Sequence, residues 1–192
     1  MLLSQLVNAD HPLDEHAIPK NLVICHFPFC ADYSEEKRQL CEEAALAATD
    51  LIVCAKTFGY TLFGISGYRS FARQSVLYAE AEVRRASRGT SDDAQDYPTV
   101  AAPGTSEHQT GLALDVSTPS VGMELCEEFA DTIEGRWLTD YAPMHGFILR
   151  YPKGKEKITG YAFEPWHIRY VGKSLALYLT LTGMTLEEYH KI

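Results

Sequence analysis

Between Leu112 and Ser117 the chain alternates strictly, with Leu112, Leu114 and Val116 set against Ala113, Asp115 and Ser117. A period of two is that of a half-buried strand, and it turns Asp115 away from the apolar side. A helical period governs the stretch after Ser34, where Leu40, Ala44, Ala47, Leu51 and Phe58 recur at three-and-four-type spacing and form one apolar face. Ser34 reads as the N-cap of that helix, Glu35 and Glu36 as its acidic first turn, and Gly59 as its stop. Thr61 to Ser66 predicts a strand and Ser70 to Ser87 a helix. Further on, Glu134 to Met144 predicts a helix, 146–151 and 166–171 two strands, and the remainder a helical tail.

A Pro-containing arm precedes the first helix, to about Tyr33. The longest loop-like stretch is 88–105, with Gly89, Thr90, Ser91, Asp92, Asp93, Pro98, Pro103 and Gly104; it reads either as a lid over a cleft or as a surface loop. With no internal repeat or low-complexity tract, the pattern predicts an α+β fold. A small central antiparallel sheet is flanked by helices in a single domain over 1–192, with an arm at 1–33 and a catalytic core at 34–192.

Composition narrows the partners. At 192 residues and 46% hydrophobic, the chain can bury a sizeable core. A formal charge of -9 works against polyanions, so no nucleic-acid partner is expected; Arg84, Arg85 and Arg88 read as a solvated helix end. No stretch reaches the ~20 apolar residues of a membrane span. Met1 to Leu6 is too short and uncharged for a signal peptide, and a cytoplasmic monomer is expected, with the cell envelope as the alternative for a chain trimmed from an exported precursor. The 5 cysteines, at positions 25, 30, 41, 54 and 126, form no Cys-x-x-Cys pair and read as free thiols; a Cys25, His26, Cys30 metal cluster lacks further partners.

Candidate chemistry collects in two segments. In the first, Gly111 lets the backbone bend, so that His108 folds back toward the Asp115 carboxylate. In the second, Glu164-Pro165-Trp166-His167, Pro165 marks an edge or bulge. Residues three apart point to opposite faces of a flat strand, so Glu164 and His167 meet one ion only if the backbone bends between them. Two imidazoles and a carboxylate, with a fourth position left for water, are the donor count of a catalytic zinc. His108, Asp115 and His167 are therefore the candidate ligands of one zinc ion, and Glu164 the candidate base. Taken alone, the first segment also reads as a surface aspartate and a loop histidine, and Trp166 as a wall beside the metal or as a core aromatic.

Four blocks in order carry a resemblance: Ser66-Gly67-Tyr68-Arg69-Ser70, Ser106-Glu107-His108 through Asp115, Gly146 through Pro152, and Glu164 through Gly172. Together with Leu6 through Leu13, they resemble the VanY-type zinc D-Ala-D-Ala carboxypeptidases, a group of LAS-type metallopeptidases. The resemblance implies that His108, Asp115 and His167 hold zinc and that Glu164 is the general base for the attacking water. It further implies that Arg69 polarises the scissile carbonyl, and that Gln74 and Ser106, with Arg69 nearby, hold the C-terminal carboxylate of a peptidoglycan stem peptide. Without it, Ser66 to Ser70 reads as an ordinary strand-to-helix turn.

The implied activity is zinc D,D-carboxypeptidase, with L,D-carboxypeptidase or D,D-dipeptidase as alternatives that share every metal and base residue. A zinc-containing, non-catalytic cell-wall peptide-binding module, on the pattern of hedgehog signalling domains, is the alternative of another class. His11, His16, His26, His145 and His190 are read as solvated or capping, and Arg150 and Tyr151 as packing or support near the site.

Overall fold

The computed structural model describes residues 2–30, 35–88 and 97–192. Four strands form the central sheet: β3 (Phe63–Ser66), β4 (Ala113–Ser117), β5 (Phe147–Leu149) and β6 (His167–Tyr170), in the order β3-β4-β6-β5. Every pairing in it is antiparallel. A separate antiparallel ribbon joins β1 (Leu22–Ile24) to β2 (Gln39–Cys41). The helices are α1 (Glu42–Thr57), α2 (Phe71–Arg88), α3 (Ile133–Tyr141), α4 (Glu156–Thr159), α5 (Lys173–Thr182) and α6 (Leu186–Tyr189). The expected α+β class and antiparallel sheet are thus borne out. Among the described residues, no helix is long and apolar enough to cross a membrane.

The first helix departs from its predicted start. Ser34 lies outside the described residues, but Glu36–Arg38 is a 3-10 turn and Gln39–Cys41 is strand, so α1 begins only at Glu42. The reason is long-range: Leu40 pairs with Val23 across the ribbon instead of continuing the helical face. From Glu42 the local chemistry is that of a helix, with Glu42 and Glu43 at the positive end of the dipole. Ala44, Ala48, Leu51, Ile52 and Ala55 are buried, and the small alanines let the helix backbone lie close to the core. Phe58 stays half exposed, and Gly59 at φ 83° ends the helix in the left-handed region as predicted.

The remaining elements fall close to their expected places. The helix from Glu134 ends at Tyr141 and passes into a 3-10 turn, Ala142–His145, and the helical tail is α5 and α6. The main core joins Leu114, Val116 and Ile168 of the sheet to α1, Trp137, Leu138 and Phe147, while a smaller cluster packs α5 and α6 against Ile148 and Val171. One expectation needs correction: β4 is buried on both faces. On the second face Ser117 donates from its hydroxyl to the Glu124 carbonyl at 2.8 Å, and Asp115, only 3% exposed, lines a cleft.

Candidate metal centre

Sheet register builds the site. Ser66 of β3 lies beside Asp115 of β4, and Asp115 beside His167 of β6, so three polar side chains line up across three adjacent strands. His108 comes from outside the sheet, on the 3-10 turn Glu107–Thr110. Gly111 closes that turn at φ 68°, where a Cβ would come within 2.8 Å of Leu22 Cδ2; only glycine serves both the backbone angle and the close approach.

The result is a compact donor set. His108 Nε2 lies 3.1 Å from Asp115 Oδ2, and His167 Nδ1 lies 2.9 Å from Asp115 Oδ1. All three candidate ligand atoms fall within 4.8 Å of one another, and all three residues are buried. The rings meet edge-on, at a centroid distance of 5.0 Å and an angle of 84°. His108 donates from Nδ1 to the Gly67 carbonyl at 2.6 Å. That bond fixes its tautomer, so in the neutral ring Nε2 is a lone pair facing a carboxylate oxygen. Two acceptors held at this distance in a dry site repel unless a cation lies between them, and a proton or a metal ion meets that need. Two imidazoles with one carboxylate are donors suited to zinc.

The electrostatics follow from burial. Burial lowers the His108 pKa, against the pull of Asp115. Burial acts the same way on His167, but its hydrogen bond to Asp115 and the nearby Glu107 carboxylate outweigh it and hold the ring up at about 9. Asp115 is kept well below the usual carboxylate range, its burial overcome by the two histidines. Glu164 behaves oppositely: burial pushes it up to about 8, with His167 and Arg69 pulling down and Asp115 adding to the rise.

The bend expected at Pro165 is a tight turn. The His167 amide donates to the Glu164 carbonyl at 3.2 Å, which folds the two side chains to one side, with Glu164 Oε2 3.9 Å from His167 Nδ1. Arg69 enters from the loop after β3. It donates from Nη1 to Gln74 Oε1 at 2.9 Å and from Nη2 to Ser66 Oγ at 3.1 Å, and Nη2 stands 3.8 Å from Asp115 Oδ2. A cleft of about 300 Å³ is lined by Arg69, Ser106, Tyr151, Glu164 and Trp166 around the two histidines and Asp115.

The structure therefore brings His108, Asp115, His167, Glu164, Arg69, Ser106 and Trp166 to one cleft. Trp166 belongs both to the cleft wall and to the main core, so its two readings hold together. Gln74 stands behind. It is 1% exposed, and its amide is engaged at both ends, accepting from Arg69 and donating to the Ala101 carbonyl at 2.6 Å. Sequence reasoning gave no part to Glu107 or Arg169, nor to Tyr161, which also lines the cleft and whose ring lies 4.7 Å from that of Tyr151. The available signal was charge inside apolar strand patterns, at Arg150 after Phe147-Ile148-Leu149 and at Arg169 between Ile168 and Tyr170. Both arginines are fully buried, and both pair with Glu107. Tyr151, whose ring lies 5.0 Å from that of His167, sits beneath the Arg150 guanidinium.

Fold and site together define an α+β protein with a buried two-histidine, one-aspartate cluster that could hold a metal ion, beside a cleft that also holds an acid and an arginine. The chain belongs to the VanY family: the family model described as D-alanyl-D-alanine carboxypeptidase matches residues 37–173. Among relatives, YodJ of Bacillus subtilis (strain 168) is 44% identical over 184 residues, covering 96% of this chain; the chain spans 65% of that relative's length. Among solved structures, the LdcB LD-carboxypeptidase superposes with a TM-score of 0.86 at 43% identity, over 97% of this chain and 84% of that one. A mutant of the vancomycin-resistance D,D-pentapeptidase VanY in complex with Zn(II) superposes with a TM-score of 0.74 at 31% identity, over 97% of this chain and 98% of that one.

Proposed function

We propose that this chain is a carboxypeptidase using one zinc ion, held by His108, Asp115 and His167, to release the terminal D-Ala from peptidoglycan stem peptides. The observation that carries the reading is the Asp115 carboxylate presented to His108 Nε2 and His167 Nδ1 at 3.1 and 2.9 Å, with Glu164 and Arg69 in the same cleft. The Zn(II) in the VanY neighbour supports the choice of metal.

Zinc, when bound there, supplies Lewis acidity and makes water a stronger acid. The chain's own residues supply the rest. Glu164 takes the proton from the attacking water and passes it to the departing D-Ala nitrogen. Burial raises the Glu164 pKa in the metal-free site, and a bound cation favours its ionised form, so the desolvated carboxylate is then ready to accept a proton. Arg69, fixed by Gln74 and Ser66, presents its guanidinium to the carbonyl oxygen as charge builds there. Ser106 and Arg69 donate to the substrate's terminal carboxylate, and Gln74 serves that role by bracing Arg69. Tyr151 and Trp166 wall the cleft and keep the reacting groups dry.

For specificity, the stronger likeness to the LD-carboxypeptidase, at 43% identity and a TM-score of 0.86 against 31% and 0.74, supports cleavage of tetrapeptides by L,D-carboxypeptidase action. D,D-carboxypeptidase action on pentapeptides is the second reading, supported by the description of the family model. The test is to incubate zinc-loaded protein with tetrapeptide, pentapeptide and free D-Ala-D-Ala, and identify products by mass. D-Ala released from tetrapeptide above all, and abolished by chelator, is the expected result. Preference for pentapeptide reverses the order, cleavage of the free dipeptide points to D,D-dipeptidase action, and peptide bound without release makes the chain a binding module.

A further inference from the structure

The carboxylate next to His108 in sequence faces the other histidine. Glu107 is 1% exposed, and its two oxygens have separate surroundings. Oε1 accepts from Arg150 Nε at 2.7 Å and pairs with Arg169 Nη1 at 2.8 Å. Among the described residues Oε2 has no hydrogen-bond partner, and neither does His167 Nε2, which it faces at 3.8 Å. Leaving a buried polar atom unpartnered is costly, so two that face one another require a joint explanation.

We propose that Glu107 is a positioning residue for the metal centre, its Oε2 being the acceptor that fixes the His167 ring with Nδ1 turned to Asp115. The proposal rests on the reading of His167 as a ligand through Nδ1. Ligation there leaves the hydrogen on Nε2, and Glu107 Oε2 is the acceptor that faces it. The carboxylate is itself held from behind. Arg150 forks onto Glu187 of α6, donating from Nη1 to Oε2 at 2.9 Å and from Nη2 to Oε1 at 2.5 Å. Arg169 donates from Nη2 to the carbonyls of Leu3 and Gln5, at 3.0 and 2.9 Å. The aim of one metal ligand thus depends on an ion lattice reaching from α6 to the segment before β1.

Three variants separate positioning from general support: Glu107→Asp, Glu107→Gln and Glu187→Gln. Zinc affinity is measured by chelator competition, and the geometry of the centre by the visible spectrum of the cobalt-substituted protein. Glu107→Asp keeps the charge that Arg150 and Arg169 need but withdraws it from His167; Glu107→Gln removes the charge. Both should weaken zinc binding about 10- to 100-fold and alter the cobalt spectrum. Glu187→Gln, two links away, should lower the melting temperature yet hold zinc affinity within about threefold. Should Glu107→Gln fail to fold, Glu107→Asp decides. If zinc is lost in His167→Ala but Glu107→Asp binds it like the wild type with an unchanged spectrum, the positioning role is overturned and the metal centre stands. If the wild type binds no zinc, or His167→Ala retains it, both fall.

Discussion

Glu164→Gln keeps the size of the side chain and removes its ability to take a proton. The structure gives this change two consequences of opposite sign. Loss of a positioned base should lower kcat/KM about 10²- to 10⁴-fold while zinc stays bound. The metal-free protein should at the same time gain stability. Burial raises Glu164 from 4.5 to about 8, so the folded state favours the protonated acid. Its contribution is fully present below pH 4.5 and is lost as pH rises through 8. At pH 7 the wild type has crossed roughly 2.5 pH units of that window, a loss of up to about 3 kcal/mol that a neutral glutamine never incurs. For 192 residues, with unfolding entropy near 2.1 cal/mol/K each, that is about 7–8 °C in melting temperature. Thermal unfolding in chelator at pH 4.5 and pH 7 should show the two proteins together at the lower pH and the variant ahead at the higher. A variant that turns over within tenfold of the wild type sinks the base assignment; equal melting temperatures at pH 7 refute the burial argument.

Other perturbations probe the rest of the site. Arg69→Lys keeps the charge but not the fork that reaches Gln74 and Ser66 together, so kcat/KM should fall about 10²-fold with zinc affinity and circular dichroism unchanged; an unaltered rate returns Arg69 to a turn role. In Gly67→Ala the new Cβ would lie 2.9 Å from the Lys37 carbonyl oxygen, forcing the backbone that accepts from His108 to move. Urea unfolding should show a loss of about 1–3 kcal/mol, together with weaker zinc binding. Zinc affinity should also climb with pH. The proton that keeps His167 at about 9 must leave before Nδ1 can ligate, so competition titrations between pH 6 and 8 should give about tenfold tighter binding per unit. A flat profile would show that no such proton is displaced.

Much of the site was legible because its geometry is local. Alternation around Leu114 aims Asp115, Gly111 returns His108 over it, and Pro165 bends Glu164 toward His167; each is a short-range consequence of residue type. The roles of Arg69, Gln74 and Ser106 came from resemblance, since nothing in their spacing distinguishes a carboxylate-binding site from a strand-to-helix turn. What escaped the sequence depends on distant pairing. Leu40 fits a helical face and is taken into a strand by Val23. Glu107 meets Arg150, 43 residues on, and Arg150 meets Glu187, 37 further. β4 reads as half-buried because a polar face covered by distant chain and a solvated face give the same alternation.

The most direct test is an anomalous-scattering map collected at the zinc edge from crystals of the protein. The account predicts one peak, bounded by His108 Nε2, an Asp115 oxygen and His167 Nδ1, with the cleft side left to solvent. Zinc seated elsewhere, for instance among Cys25, His26 and Cys30, or no peak between those three side chains, would contradict it.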